Sequence, residues 1–150
     1  TVIMTRNASD RETLSVTESL TKRVKIANNA NANLFVSLHH NAASASASGV
    51  EVYYSSRAQD ASFGGAYSDY KLSTSMSLAK SISSSLASSS GAINRGAKDG
   101  NLFVLRNTTV PAVLIERGFI SNPDEARKSA DSIYQDLAAD AIANSIVSAI

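Results

Sequence analysis

Three side chains able to do chemistry follow short apolar segments of this chain. The segment LFVSL leads into His39 and His40, the only two histidines, and the segment AVLI leads into Glu116. Apolar runs of this length form buried strands. A histidine at the end of one strand and a glutamate at the end of another suit metal-assisted hydrolysis. In such chemistry the imidazole holds a metal ion and the carboxylate moves protons.

Each of these side chains also has a purely structural interpretation. His39 can be a hydrogen-bonded histidine of the fold, and Glu116 can form a salt bridge with Arg117 or with a helix residue. Neighbouring strand residues point to opposite faces, so His39 and His40 cannot easily reach one metal ion. We interpret His40 as a residue that supports the site or faces substrate, with a plain surface position as the alternative.

Composition limits the function classes open to the chain. The 150 residues predict one domain, 1–150, with 43% apolar and 18% charged residues. The net charge of +1 without a basic block argues against nucleic-acid binding. The absence of cysteine excludes disulfides and thiolate metal sites, so a metal ion must be held by His, Asp or Glu. No apolar run approaches the roughly 20 residues of a membrane span, and we expect a monomer.

Four helices are predicted from apolar periodicity and start signals. Ser15 and Glu18 form a capping box that begins a helix from about Val16 to Ala30. A second, long helix carries an apolar stripe of Leu72, Met76, Ala79, Ile82 and Leu86. Asn122, Pro123 and Glu125 form a third helix start. The last helix runs from about Ser132, with the following residues expected to face the core: Ile133, Leu137, Ala141, Ile146 and Ile150.

Strands are predicted at residues 1–5, 34–38, 50–54, 101–106 and 112–116, and the segment INRGAKDG is a loop or a short edge strand. The alternation of these strands with helices predicts an α/β fold. We expect a twisted, mostly parallel sheet with helices on both faces, a three-layer sandwich. Sites in such sheets gather at the carboxyl ends of strands. The opening TVIMTR reads as a strand already under way, so the domain is expected to be N-terminally incomplete.

A family resemblance rests on segments that occur in a fixed order: MTR, SLHHNA, GVEVYY, NRGAK, LFVLRNT and PAVLIERGFISNPDE. The chain resembles the type 3 zinc-dependent N-acetylmuramoyl-L-alanine amidases, bacterial and phage enzymes that cut peptidoglycan. The resemblance covers nearly the whole chain and is most specific at residues 37–41 and 111–123. It implies zinc-dependent hydrolysis of the amide between N-acetylmuramic acid and the L-alanine of the stem peptide.

The resemblance also implies roles for individual residues. His39 matches a zinc ligand of the family, and Glu116 matches its catalytic acid/base. The family's other histidine ligand and its glutamate ligand precede the MTR segment, so they are expected upstream of Thr1. Arg95 is a candidate to bind a stem-peptide carboxylate through its planar fork, with a solvated loop arginine as the alternative. Asn41 is expected to order its loop or to contact substrate.

An amidase of this kind is expected to act outside the cell, in the cell wall or in the periplasm. It fits an autolysin, a sporulation or cell-separation amidase, or a phage endolysin, and is compatible with fusion to cell-wall-binding domains. The rival hypothesis is a non-catalytic peptidoglycan-binding or regulatory module with the same fold and no metal. A zinc carboxypeptidase that trims stem peptides is a further alternative, which product analysis would separate.

Overall fold

Helices and strands alternate along most of the chain. The computed structural model describes residues 1–7 and 13–149. The α-helices in this part are α1 (Val16–Asn29), α2 (Asp69–Ser90), α3 (Phe103–Asn107), α4 (Pro123–Ala130) and α5 (Ser132–Val147). The strands are β1 (Phe35–Asn41), β2 (Val50–Tyr54), β3 (Asn94–Asp99) and β4 (Ala112–Phe119). The predicted α/β fold class is therefore confirmed.

The four strands form one sheet in the order β1-β4-β2-β3. The β1–β4 and β2–β3 pairings are parallel, and the β2–β4 pairing is antiparallel. Two of the three pairings are thus parallel, as expected for a mostly parallel sheet. The segment INRGAKDG supplies the edge strand β3, one of the two structures that its sequence allowed.

The two faces of the sheet are covered by different helices, because successive strand residues point to opposite faces. In β4, Val113 and Ile115 pack into a core with α2 and α5. Ala112 and Leu114, on the opposite face, pack into a second core with α1 and α3. The sheet therefore lies between two helical layers, which is the predicted three-layer arrangement.

Local signals set where several helices begin. Ser15 accepts a hydrogen bond from the Glu18 N–H while the Glu18 carboxylate accepts one from the Ser15 N–H, so the predicted capping box is present. Asn122 caps α4 and Pro123 occupies its first turn, again as predicted. These starts depend on residues three or four apart, which is why sequence alone reveals them.

Two predicted strands are wrong. Residues 1–5 form no strand, and Val2, Ile3 and Met4 are exposed without a strand partner in the part of the chain described. The segment predicted as a strand at 101–106 contains the short helix α3, which buries Val104 and Leu105. A short apolar run fits a buried strand or a buried helical turn equally well, so its tertiary surroundings decide between them.

The core-facing side of α5 also differs from the prediction. Ile133 and Leu137 are 69% and 42% exposed, whereas Ala138, Ala141 and Ile142 are buried. The helix is rotated so that small residues meet α2, which allows a close approach of the two helices. Ile146 is partly buried against the same core, as predicted, and Ile150 lies outside the described residues. Among the described residues, no helix combines the length and apolar character needed to cross a membrane.

Candidate active site

The candidate site lies where β1 and β4 run side by side. His39 and Glu116 are partners in the parallel register of these strands. They share the face covered by α1 and α3, because Phe35 and Leu114 of the same strands pack into that core. Both strands extend past the predicted ends, so the two residues lie within the paired region. The structure thus brings His39 and Glu116 next to each other.

Glu116 is a half-buried carboxylate with an unused oxygen. Its Oε2 atom is buried and has no hydrogen-bond partner among the described residues. The pKa of Glu116 is raised to about 6, mainly by burial and to a smaller extent by the negative charge of nearby Glu51. A carboxylate whose pKa is raised towards neutral pH, and which has a free oxygen, is suited to take a proton and give it back.

The ring of His39 is positioned by a neighbour on its own strand. Its Nε2 atom lies 2.9 Å from the Ser37 Oγ atom, two residues earlier on the same strand face. Burial, with a smaller effect from the charge of Arg23, lowers the pKa of His39. The imidazole is therefore favoured in its neutral form, which is the form that binds a metal ion.

The described residues do not complete a metal site. No group of three His, Cys, Asp or Glu side chains able to hold a metal ion occurs among residues 1–7 and 13–149. His39 is a suitable ligand for zinc, and the partnerless oxygen of Glu116 is a suitable nearby base. Zinc sites use three or four protein ligands, so further donors would have to come from residues other than those described.

Glu51 is a buried charge on β2 that sequence reasoning did not single out. It is 2% exposed, and it is the antiparallel register partner of Glu116. Burial alone would raise its pKa, but hydrogen bonds from Lys98, Arg95 and Tyr53 outweigh that effect and hold the pKa at about 2. The sequence did contain a signal for this residue, because Glu51 lies between two valines of a predicted strand. Burying a charge in such a strand costs free energy unless the charge is paired.

The predicted substrate-facing residues occupy different positions. Asn41 donates from Nδ2 to the Glu51 Oε1 atom at 2.8 Å, and its own Oδ1 accepts from the Ala42 N–H. Arg95 donates from Nε to the Glu51 Oε2 atom at 2.8 Å. His40 lies on the opposite sheet face from His39, with its Nε2 atom 3.1 Å from an Arg117 guanidinium nitrogen. Asn41 and Arg95 therefore belong to the Glu116 side of the sheet, and His40 does not.

The start of α4 connects the two strand ends that border the site. Glu125 accepts from the Gly49 N–H at 2.7 Å and from the Phe119 N–H at 2.6 Å. Asn122 donates to the Ala47 carbonyl oxygen at 3.0 Å. Glu125, which the sequence predicted as part of a helix start, thus holds the loop after the histidines and the end of β4 together through hydrogen bonds.

Comparison with known proteins gives one consistent result. The sequence pattern of the family described as N-acetylmuramoyl-L-alanine amidase matches residues 1–148. The uncharacterized protein YqiI of Bacillus subtilis is 41% identical over 128 residues, which cover 85% of this chain and 56% of that protein. The N-acetylmuramoyl-L-alanine amidase LytC of Bacillus subtilis is 37% identical over 131 residues, which cover 87% of this chain and 24% of LytC.

A solved structure agrees with these sequence relationships. The catalytic domain of CwlV, an N-acetylmuramoyl-L-alanine amidase from Bacillus (Paenibacillus) polymyxa var. colistinus, matches with a TM-score of 0.77 and 36% identity. The match covers 99% of this chain and 71% of that domain. This chain spans only 56% and 24% of the two curated relatives, so it corresponds to a part of each of them.

Proposed function

This chain belongs to the N-acetylmuramoyl-L-alanine amidase family, and on that premise we propose that the protein hydrolyses the bond between N-acetylmuramic acid and L-alanine in peptidoglycan, with zinc as its cofactor. The observation that carries the proposal is the pairing of Glu116 with His39. Glu116 has a buried oxygen without a partner among the described residues, and its register partner is a histidine on the same sheet face.

Glu116 is proposed to move the proton during hydrolysis. Its carboxylate takes a proton from the attacking water, whose oxygen forms a bond to the scissile carbonyl carbon. When the carbon–nitrogen bond breaks, the same proton passes to the leaving nitrogen of L-alanine, and Glu116 returns to its ionised form. With a pKa of about 6, Glu116 is mostly ionised at pH 7 and is ready to act as the base. General acid–base help of this kind contributes about 10²- to 10⁴-fold to the rate.

Zinc is proposed to be held by His39 together with donors other than the described residues. A bound zinc ion would supply Lewis-acid polarisation of the scissile carbonyl. The chain's own contribution is a neutral imidazole at His39 and, as its register partner on β4, a base at Glu116. The proposed site of action is the cell wall, outside the cytoplasmic membrane, in line with the substrate.

Substrate contacts are proposed for Asn41 and Arg95, which lie on the same sheet face as Glu116. Asn41 is held by Glu51 and begins the loop that borders the site. His40 was expected to support the site or face substrate, with a surface position as the alternative. Its ring is partly buried and contacts Arg117 on the opposite face from Glu116, so no substrate contact is proposed for it.

The test compares bound zinc and peptide release in variants of the full-length protein. We expect the wild-type protein to bind about one zinc ion and to release intact peptides from purified peptidoglycan. Glu116→Gln should retain the zinc and lose about 10²-fold or more of the activity. His39→Ala should lose both the zinc and the activity. Asp136→Asn, the same carboxylate-to-amide change at an exposed site, should alter neither.

Other outcomes would favour the competing functions. Activity of Glu116→Gln within a few-fold of wild type would contradict the acid/base role. A wild-type protein that binds peptidoglycan without metal and cuts nothing would indicate the binding module. Release of single amino acids in place of intact peptides would indicate a carboxypeptidase.

A further inference from the structure

A pair of cations beside the candidate site has no role in the proposed proton transfer. We infer that Arg95 and Lys98 of β3, held by the buried carboxylate of Glu51, form a subsite for a carboxylate of the peptide substrate. We call Arg95, Lys98 and Glu51 the cation pair subsite. This inference rests on the proposed function and adds to it the chemical class of the peptide that the site prefers.

A bulge in β3 places both cations on one face. Residues 95 and 98 are three positions apart, so in a regular strand their side chains would point to opposite faces. The β2–β3 register shows otherwise, because Val50 pairs with Asn94 while Val52 pairs with Ala97. Three steps on β3 thus oppose two steps on β2, and Gly96 within this stretch has a φ of +80°. One extra residue reverses the alternation, as in other glycine bulges.

Both cations are anchored on the same buried oxygen. The Glu51 Oε2 atom accepts from Arg95 Nε at 2.8 Å and from Lys98 Nζ at 2.5 Å. Its Oε1 atom accepts from Asn41 and from Tyr53, at 2.8 and 2.7 Å. One carboxylate with two neutral donors needs a single cation for charge balance. The second cation gives these three side chains a net charge of +1, and the negative charge of Glu116, the register partner of Glu51, opposes it from the β4 side only. The solvent-facing side of the two cations therefore favours an anionic ligand.

The cations retain donors that face away from Glu51. Their side chains are 39% exposed in Arg95 and 36% exposed in Lys98, against 2% in Glu51. Within the described part of the chain, Glu51 is the one hydrogen-bond partner of Lys98 Nζ, so two of its N–H groups remain for a ligand. The guanidinium of Arg95 also lies 5.0 Å from the centre of the Phe119 ring, which limits its movement. Donors held in place before binding lose little entropy when a carboxylate arrives.

The position of the subsite indicates which carboxylate it binds. The sheet order places β2 between β4 and β3, so Glu116 and the cations are two strand spacings apart, or about 10 Å. An extended peptide advances about 3.3–3.6 Å per residue, so the acidic group lies within about three residues of the scissile amide. In the proposed substrate the muramyl carboxyl group forms that amide, so a free carboxylate must belong to the peptide.

The test measures a preference between two small substrates. The probes are N-acetylmuramoyl-L-alanyl-D-glutamine, whose side-chain carboxyl group is already an amide and whose α-carboxylate is free, and the same compound with the α-carboxylate amidated as well. We expect the full-length wild-type protein to cleave the free acid with a kcat/KM about tenfold higher, from charge-assisted hydrogen bonds. Lys98→Met should reduce this ratio several-fold, mainly through KM, and Lys98→Arg should restore it. Lys80→Met, which removes the same charge from an exposed position on α2, should leave the ratio unchanged.

Failure of the subsite and failure of the proposed function give different results. Equal cleavage of the two probes by wild type, or an undiminished ratio in Lys98→Met, would overturn the subsite while the amidase function stands. If wild type cleaves neither probe, the subsite is tested by binding alone. NMR titration of the β3 amides then compares L-alanyl-D-glutamine, which has a free α-carboxylate, with its α-amide. Preferential binding of the acid supports the subsite, and equal or absent binding refutes it. Lys98→Gln serves as the second variant if Lys98→Met does not fold.

Discussion

At the scale of single residues, the site contrasts two carboxylates that are register partners on neighbouring strands. Glu51 accepts four hydrogen bonds, two of them from cations, and its pKa is held at about 2. Glu116 is desolvated and has one oxygen without a described partner, and its pKa is raised to about 6. Environments that separate two pKa values in this way assign one carboxylate to structure and the other to proton transfer.

Glu116 is expected to reduce the stability of the fold at neutral pH. Its folded-state pKa of about 6 exceeds the ordinary value of 4.5. Between these pH values the native state binds more protons than the unfolded state, so the free energy of unfolding falls as pH rises. After allowance for partial exposure, Glu116→Gln should stabilise the metal-free protein by about 1 kcal/mol at pH 7.5.

The measurement is thermal unfolding of wild type and Glu116→Gln at several pH values. The gain in stability should correspond to about 2–4 °C at pH 7.5 and should disappear below pH 4.5. Asp136→Asn serves as the control and should show no such pH-dependent gain. A gain that is the same at pH 4 and pH 7.5 would contradict the titration of Glu116 as its cause.

At the scale of elements, a glycine allows the start of β2 to lie close to the residue that precedes β3. Gly49 immediately precedes β2, has a φ of +108°, and donates its N–H to Glu125 of α4. A Cβ atom at this position would lie 2.5 Å from the carbonyl oxygen of Ile93. Gly91, which ends α2, has a φ of +66° and no atom within 4 Å of the corresponding Cβ position. The two glycines share a positive φ but differ in the space around them.

Gly49→Ala and Gly91→Ala form a matched pair of substitutions. Gly49→Ala should lower the free energy of unfolding by about 3 kcal/mol, since backbone strain is added to a steric clash. Gly91→Ala should lower it by about 1 kcal/mol, from backbone strain alone. Urea denaturation of both variants measures the difference. Equal losses of unfolding free energy in the two variants would show that the carbonyl oxygen of Ile93 does not exclude a Cβ atom at position 49.

At the scale of the whole molecule, two helical layers enclose the sheet, and the larger core lies on the side of α2 and α5. Ile82 of α2 is 0% exposed within this core. Ile133 of α5 is 69% exposed, although the apolar spacing of its helix predicted a core position. The packing of α2 against the sheet and against α5 decides which of these side chains contributes to stability.

The same substitution at these two isoleucines should have very different effects. Ile82→Ala creates a cavity in the core and should reduce the free energy of unfolding by about 3 kcal/mol. Ile133→Ala removes an exposed side chain and should change it by less than about 0.5 kcal/mol. Guanidinium denaturation curves of the two variants provide the comparison. A loss of more than 2 kcal/mol for Ile133→Ala would mean that a partner covers this face of α5.

The sequence by itself determined the features that depend on neighbours along the chain. Two helix starts, at Ser15 with Glu18 and at Asn122, depend only on residues within one helical turn. The apolar runs of β1 and β4 likewise each lie within a single strand. The α/β fold class followed from the order of such segments. The family was also identifiable, because its motifs are continuous stretches of sequence.

Only the tertiary structure decided features that depend on pairing between distant segments. The register of β1 with β4 makes His39 and Glu116 neighbours, and the bulge at Gly96 brings Arg95 and Lys98 to the same carboxylate. The segment at 101–106 and the orientation of α5 were mispredicted for the same reason. Short apolar runs and loosely periodic helices are compatible with several packings, and the choice among them depends on which other surfaces they bury.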